Sequence, residues 1–139
     1  MKYKTCCSLI KIIHDSFERE ANNTMRPQGL TAAQGTALQI LFNEGNGQMT
    51  LKEFEKHLHV AQSTTAGIVS RLEQKGFVKC LGDPKDRRIK IVHLTKSGEE
   101  CCRLGNAHLA ATEARVLSPL SEDERRELFR LLDKVYSSL

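Results

Sequence analysis

Residues 50–94 read TLKEFEKHLHVAQSTTAGIVSRLEQKGFVKCLGDPKDRRIKIVHL, and their pattern changes period halfway along. Up to Gln74 one set of residues recurs every three or four positions: Leu51, Phe54 and Leu58, then Thr65, Ile68, Val69 and Leu72. That spacing predicts two helices, a short one beginning at Thr50 and a second over about 61–75. Thr50-Leu51-Lys52-Glu53 fits a capping box, in which the threonine hydroxyl accepts from a first-turn amide and the glutamate reaches back. After Gly76 the period becomes extended. Phe77 to Leu81 and Arg87 to Leu94 flank Gly82-Asp83-Pro84-Lys85-Asp86, which predicts a hairpin.

The two helices are joined by His57-Leu58-His59-Val60, and Leu58 and Val60 are expected to bury in the corner between them. Opposite its apolar side the second helix shows Gln62, Ser63, Thr64, Gly67, Ser70, Arg71 and Gln74. Small side chains let a helix approach the major groove closely, where hydroxyls and amides bond base edges or phosphates. The hairpin tip carries Lys85, Arg87 and Arg88, a basic ribbon able to follow a phosphate backbone or to place an arginine in a minor groove. These are the parts of a winged helix-turn-helix. Residues 71–90 hold seven basic and three acidic side chains, net +4, which equals the charge of the whole chain. Concentrated positive charge suits a polyanion. Charge alone fits a solvated loop equally well, but a polar helix set between a turn and a basic hairpin favours double-stranded DNA.

Working outward, residues 3–22 place Cys6, Leu9, Ile10, Ile13 and Phe17 on one helical stripe, which Asn22, Asn23, Pro27 and Gly29 should break. Thr31 to Gln34 and Ser121 to Glu124 are two further capping boxes. They precede the stripes Leu38 and Leu41, and Leu128, Leu131, Leu132 and Val135. Thr95 to about Leu117 reads as a long helix ending before Pro119. The expected fold is mainly α: a winged helix-turn-helix with a two-stranded β wing, flanked by N- and C-terminal dimerisation helices. The expected units are 1–29 for the N-terminal helix, 30–95 for the DNA-binding domain and 96–139 for the C-terminal helices. The terminal stripes lie outside the small 30–95 unit, and apolar stripes of this kind call for a partner.

Leu30-Thr31-Ala32-Ala33-Gln34, Leu72-Glu73-Gln74-Lys75-Gly76-Phe77-Val78, Asp83-Pro84-Lys85-Asp86-Arg87-Arg88 and Leu94-Thr95-Lys96-Ser97-Gly98 together resemble the MarR (multiple antibiotic resistance regulator) family of bacterial transcription factors. The match in detail covers residues 30–98. The resemblance implies a homodimer whose terminal helices interlock and whose wings straddle a pseudo-palindrome. It also implies repression, relieved by a small aromatic or phenolic effector. On this basis Gln62, Ser63, Thr64, Thr65, Ser70 and Arg71 face the major groove. Lys85, Asp86, Arg87 and Arg88 form the wing site, with Arg88 as the minor-groove arginine and Asp86 holding the wing by an ion pair. Two departures stand out. Ala61 occupies a position often Ser or Thr, so the N-cap of the recognition helix is missing or moves to Ser63. Cys80 stands where an arginine is common.

The remaining residues exclude more than they suggest. Hydrophobic residues make up 40% and charged residues 27%, as in a folded chain. No apolar run approaches the ~20 residues that cross a bilayer, and the N-terminus turns charged too soon for a secretory signal. Five cysteines without a Cys-x-x-Cys argue against a disulfide framework or zinc cluster, so a cytoplasmic chain with reduced thiols is expected. Cys6, Cys7, Cys101 and Cys102 fall on the expected dimer helices. Some MarR relatives sense oxidants through such thiols, and that is the alternative reading. His14, His57, His59, His93 and His108 are scattered, and no metal or cofactor is expected. No catalytic triad, carboxylate pair or phosphate loop appears, so an enzyme is not expected. A winged helix that binds protein and not DNA remains a rival. An effector cleft is expected between the dimer helices and the winged unit, near Phe17 and His14.

Overall fold

In the computed structural model, which describes residues 5–139, side-chain caps set where most of the helices begin. Thr5 caps α1 (Cys6–Met25). The boxes at Thr31, Thr50 and Ser121 are closed in both directions and start α2 (Ala32–Asn43), α3 (Leu51–Leu58) and α6 (Glu122–Tyr136). Between α3 and α6 lie α4 (Gln62–Gln74), the strands β2 (Val78–Gly82) and β3 (Lys90–Leu94), and α5 (Lys96–Val116). Residues 3 and 4 of the expected first helix lie outside the described residues.

The first helix runs three residues past its expected end. Asn22 and Asn23 are tolerated inside it, and the break comes at a 3-10 turn over Arg26–Gln28 closed by Gly29 at φ 70°. Pro27 sits within that turn, where its missing N–H costs nothing. A larger correction concerns the sheet. The wing hairpin is two-stranded as expected, but a short strand β1 (Gln48–Thr50) adds to its inner edge, giving the order β1-β3-β2. Met49 pairs with Val92 from one side and Cys80 pairs with it from the other. β1 is too short to show an alternation of its own.

The core lies beneath this sheet. Leu38, Leu41, Phe54, Leu72, Val78 and Val92 are its largest fully buried apolar side chains, drawn from α2, α3, α4 and the two wing strands. Leu58 is half-buried and packs on this cluster, but Val60 is 41% exposed and does not fill the corner. His59 in the left-handed region (φ 54°) turns the chain there, and Val60 leaves the core as a result.

Two glycines fix how the wing leaves the helices. Gly76 (φ 79°) makes the turn from α4 into β2, a conformation costly for any residue with a Cβ. A Cβ on Gly98 would collide with the Phe77 carbonyl oxygen, so only glycine lets α5 start against the base of the wing. Thr95 binds the same junction, donating its hydroxyl to Gly76 O at 2.7 Å and its amide to Phe77 O at 3.0 Å. The Leu-Thr-x-x-Gly motif is therefore a joint between helix and wing.

α1 lies along α5, tied by Glu20, whose carboxylate accepts from Thr112 Oγ1 at 3.0 Å and from the Arg115 guanidinium. α6 leaves α5 after Pro119 and has no buried residue, and neither has α1. Phe129 is 73% and Tyr136 74% exposed, while Ile10 and Ile13 are about half exposed. These helices frame a groove of about 990 Å³ lined by Ile10, Ile13, Phe17, Leu117, Leu128, Phe129 and Leu132.

Candidate nucleic-acid interface

α4 is amphipathic in the sense that DNA reading requires. Thr65, Val69 and Leu72 are buried, while Gln62, Ser63, Thr64, Ser70 and Arg71 are exposed. Thr65 corrects the sequence expectation. It is fully buried and its hydroxyl donates to Ala61 O at 3.4 Å, so it supports the helix from inside and presents nothing to a groove. Its place three and seven residues before Ile68 and Leu72 already put it on the core side. Ala66 and Gly67, not singled out as site residues, complete the exposed face, and a Cβ on Gly67 would meet only open space. Ala61 is the N-cap and makes no side-chain capping bond, so the cap is missing and does not move to Ser63. The first-turn amides of α4 are consequently uncapped by any side chain, as suits a helix end that meets phosphate.

The wing is built from its turn residues. Asp83 Oδ1 accepts the Lys85 amide at 2.8 Å, and the chain closes with Asp83 N–H to Ile89 O at 2.8 Å. Asp86 then takes hold of Arg88 in three places: the backbone amide (3.1 Å), Nε (3.0 Å) and Nη2 (3.0 Å). These bonds pull the Asp86 carboxyl below its usual range, with the side-chain bond from Arg88 the larger cause and its amide the second. The guanidinium is thus aimed but not covered, and the Arg88 side chain is 91% exposed. Lys85 and Arg87 are also exposed. Wing and recognition helix are joined as well, since Glu73 of α4 accepts the Cys80 amide at 2.8 Å.

The thiols divide. Cys6 and Cys7 are exposed on α1. Cys101 is half-buried and donates to Gln28 Oε1 at 2.7 Å, and burial raises its pKa. Cys102 is fully buried and pushed up to about 12 by desolvation, with smaller contributions from Cys101 and Glu99. Cys102 therefore holds no thiolate near neutrality, which corrects its inclusion among candidate sensors.

A second, smaller cavity of about 280 Å³ lies among α1, α2 and α5. Phe17, Met25, Leu30, Leu38 and Leu109 make its apolar lining, and Gln28, Gln39, Asn106 and His108 its polar points. Phe17 lines both this cavity and the larger groove by α6. His14 lines only the larger groove. Among the described residues no three His, Cys, Asp or Glu side chains gather to hold a metal, and no helix is long and apolar enough to cross a membrane.

The family model "MarR family" matches residues 30–90. The HTH-type transcriptional regulator MgrA of Staphylococcus aureus is 30% identical over 136 residues, 97% of this chain and 89% of the relative. The DNA complex of S. aureus MepR superposes with a TM-score of 0.81 at 26% identity, covering 99% of this chain and all of that one. A mutant MarR from E. coli complexed with operator DNA gives 0.75 at 29% identity, over 92% of this chain and 91% of that one. The polar helix face, the aimed wing arginine and these likenesses agree, and the chain belongs to the MarR family of winged helix-turn-helix, DNA-binding transcriptional regulators.

Proposed function

We propose that the protein acts as a homodimeric repressor on a pseudo-palindromic operator and is released by a small aromatic effector. The exposed face of α4 carries this reading, because Gln62, Ser63, Thr64, Ser70 and Arg71 are open while their helix is anchored from behind by Thr65, Val69 and Leu72. Each recognition helix enters a major groove, and Arg88 reaches the neighbouring minor groove. The apolar groove among α1, α5 and α6 is the dimer surface, because a lone chain would leave Phe129, Leu132 and Ile13 in water. Two-fold pairing sets two half-sites about one helical turn, ~10 bp, apart or a multiple of that. The 280 Å³ cavity, mostly apolar with a few amide groups, suits a one-ring effector.

Fluorescence anisotropy with a duplex from the promoter of the protein's own gene tests this. Each phosphate contact contributes about −0.9 to the slope of log affinity against log salt, so affinity is expected to fall by tenfold or more between about 50 and 200 mM salt. In a transcription assay, added protein is expected to lower output from that promoter. Salt-insensitive behaviour, or no retention of the duplex, would favour the protein-interaction reading and count against this one.

A further inference from the structure

Lys75 belongs by charge to the basic segment, yet its ammonium is committed elsewhere. It caps the C-terminal end of α4, where its backbone N–H donates to Arg71 O at 3.1 Å. Its Nζ donates to the Gly29 carbonyl and, at 2.8 Å, to Gln34 Oε1. Two of its three N–H donors are thereby directed away from any phosphate. Gln34 is only 3% exposed, and the same Oε1 accepts the Thr31 amide in the α2 capping box, so both acceptor positions of that oxygen are filled. The end of the recognition helix is thus fastened to the corner between α1 and α2.

That corner is also a wall of the small cavity. Gly29 lies between Gln28 and Leu30, and Gln34 adjoins Gly35; the neighbours named here line the space, as does Met25. Gln28 is tied in turn to α5 across the cavity through the Cys101 thiol. An occupant that parts α1 and α2 from α5 must displace Gln28 and Leu30, and the Gly29 carbonyl between them moves too. α4 has 13 residues and is therefore about 20 Å long, so a small shift at Lys75 tilts the far end that carries Gln62 to Thr64.

We propose that Lys75 is a positioning residue: a strut through which the cavity wall sets the seat of the recognition helix on DNA, and not a phosphate contact. The proposal rests on the cavity being the effector site, but the strut is testable without an effector. Lys75→Met keeps the aliphatic stem and removes the donors. Operator affinity is expected to fall at least tenfold with the salt slope unchanged, and Lys75→Arg, which can still donate to both oxygens, is expected to recover most of it. A slope reduced by about 0.9 would make Lys75 a phosphate contact, and unchanged affinity would make it idle. Either result overturns the proposal.

The coupling itself is read with a wedge. A Cβ on Gly35 would overlap the flexible Met25 thioether, which must give way, and Gly35→Val, with two methyl groups beyond its Cβ, is expected to crowd the corner as an occupant would. The wedge is expected to weaken operator binding tenfold in the wild-type background and less than twofold once Lys75→Met has removed the strut. Equal losses in both backgrounds, or none in either, would refute the coupling. Gly35→Ala, a smaller wedge, carries the same comparison if the valine variant fails to fold. Wild-type protein that binds no duplex would instead refute the DNA-binding reading, an outcome distinct from all of these.

Discussion

Arg88→Ala is expected to weaken operator binding on the order of ten- to a hundredfold while leaving the dimer and its thermal midpoint unchanged. The size follows from placement. The guanidinium stands at the wing tip, held from one side by Asp86 and open on the other, so the order needed for groove insertion is present before DNA arrives. The absence of a stability effect follows from exposure, because a solvated ion pair contributes little to folding. The lowered pKa of Asp86 sets the pH dependence. A depressed carboxyl keeps its charge through neutrality, and its contribution to wing order is lost only as pH falls through that lowered value. Arg88 therefore stays oriented throughout the physiological range. Anisotropy titrations of both forms against one duplex decide the matter, and equal affinity would remove the wing arginine from the mechanism.

Removing residues 121–139 is expected to have the larger effect, giving a chain that neither dimerises nor binds operator DNA detectably. α6 contributes no buried residue to its own chain, so its apolar side is open to a partner. A single winged unit reads one half-site, and losing the second forfeits roughly half of the phosphate contacts and the avidity that joins them. Phe129→Asp with Leu132→Asp makes the same point with the helix intact, since two charges would have to enter the apolar groove. Light scattering that shows a dimer for either variant would refute the assembly. So would a monomer that retains full specific affinity.

What was readable in the sequence was local. The three capping boxes lie in the structure where Thr31, Thr50 and Ser121 put them, because a cap is a bond between residues three apart and needs no tertiary context. The wing was readable for the same reason, as the Asp83 and Asp86 side chains bond amides two residues on. Features that depend on distant partners were not. β1 exists because Gln48–Thr50 meets Ile91–His93, more than forty residues away. The sequence puts Val60 inside because it shows the corner and not the left-handed turn at His59.

The candidate site shows the same division. Periodicity alone separates Thr65 from Ser63 and Thr64, and grouping them by chemistry set one residue on the wrong side of the helix. Lys75 could be counted as charge, but its direction is fixed by Gly29 and Gln34, more than forty residues before it. The cysteines could be enumerated, and only packing shows that Cys102 is closed to solvent.

Repression by a dimer requires that two chains hold one duplex. Sedimentation of the protein with a single operator-length duplex, at protein concentrations spanning the binding transition, measures this directly. One complex of two chains per duplex is expected, with no single-chain complex populated on the way. A stable complex of one chain per duplex, binding with full affinity, would contradict it.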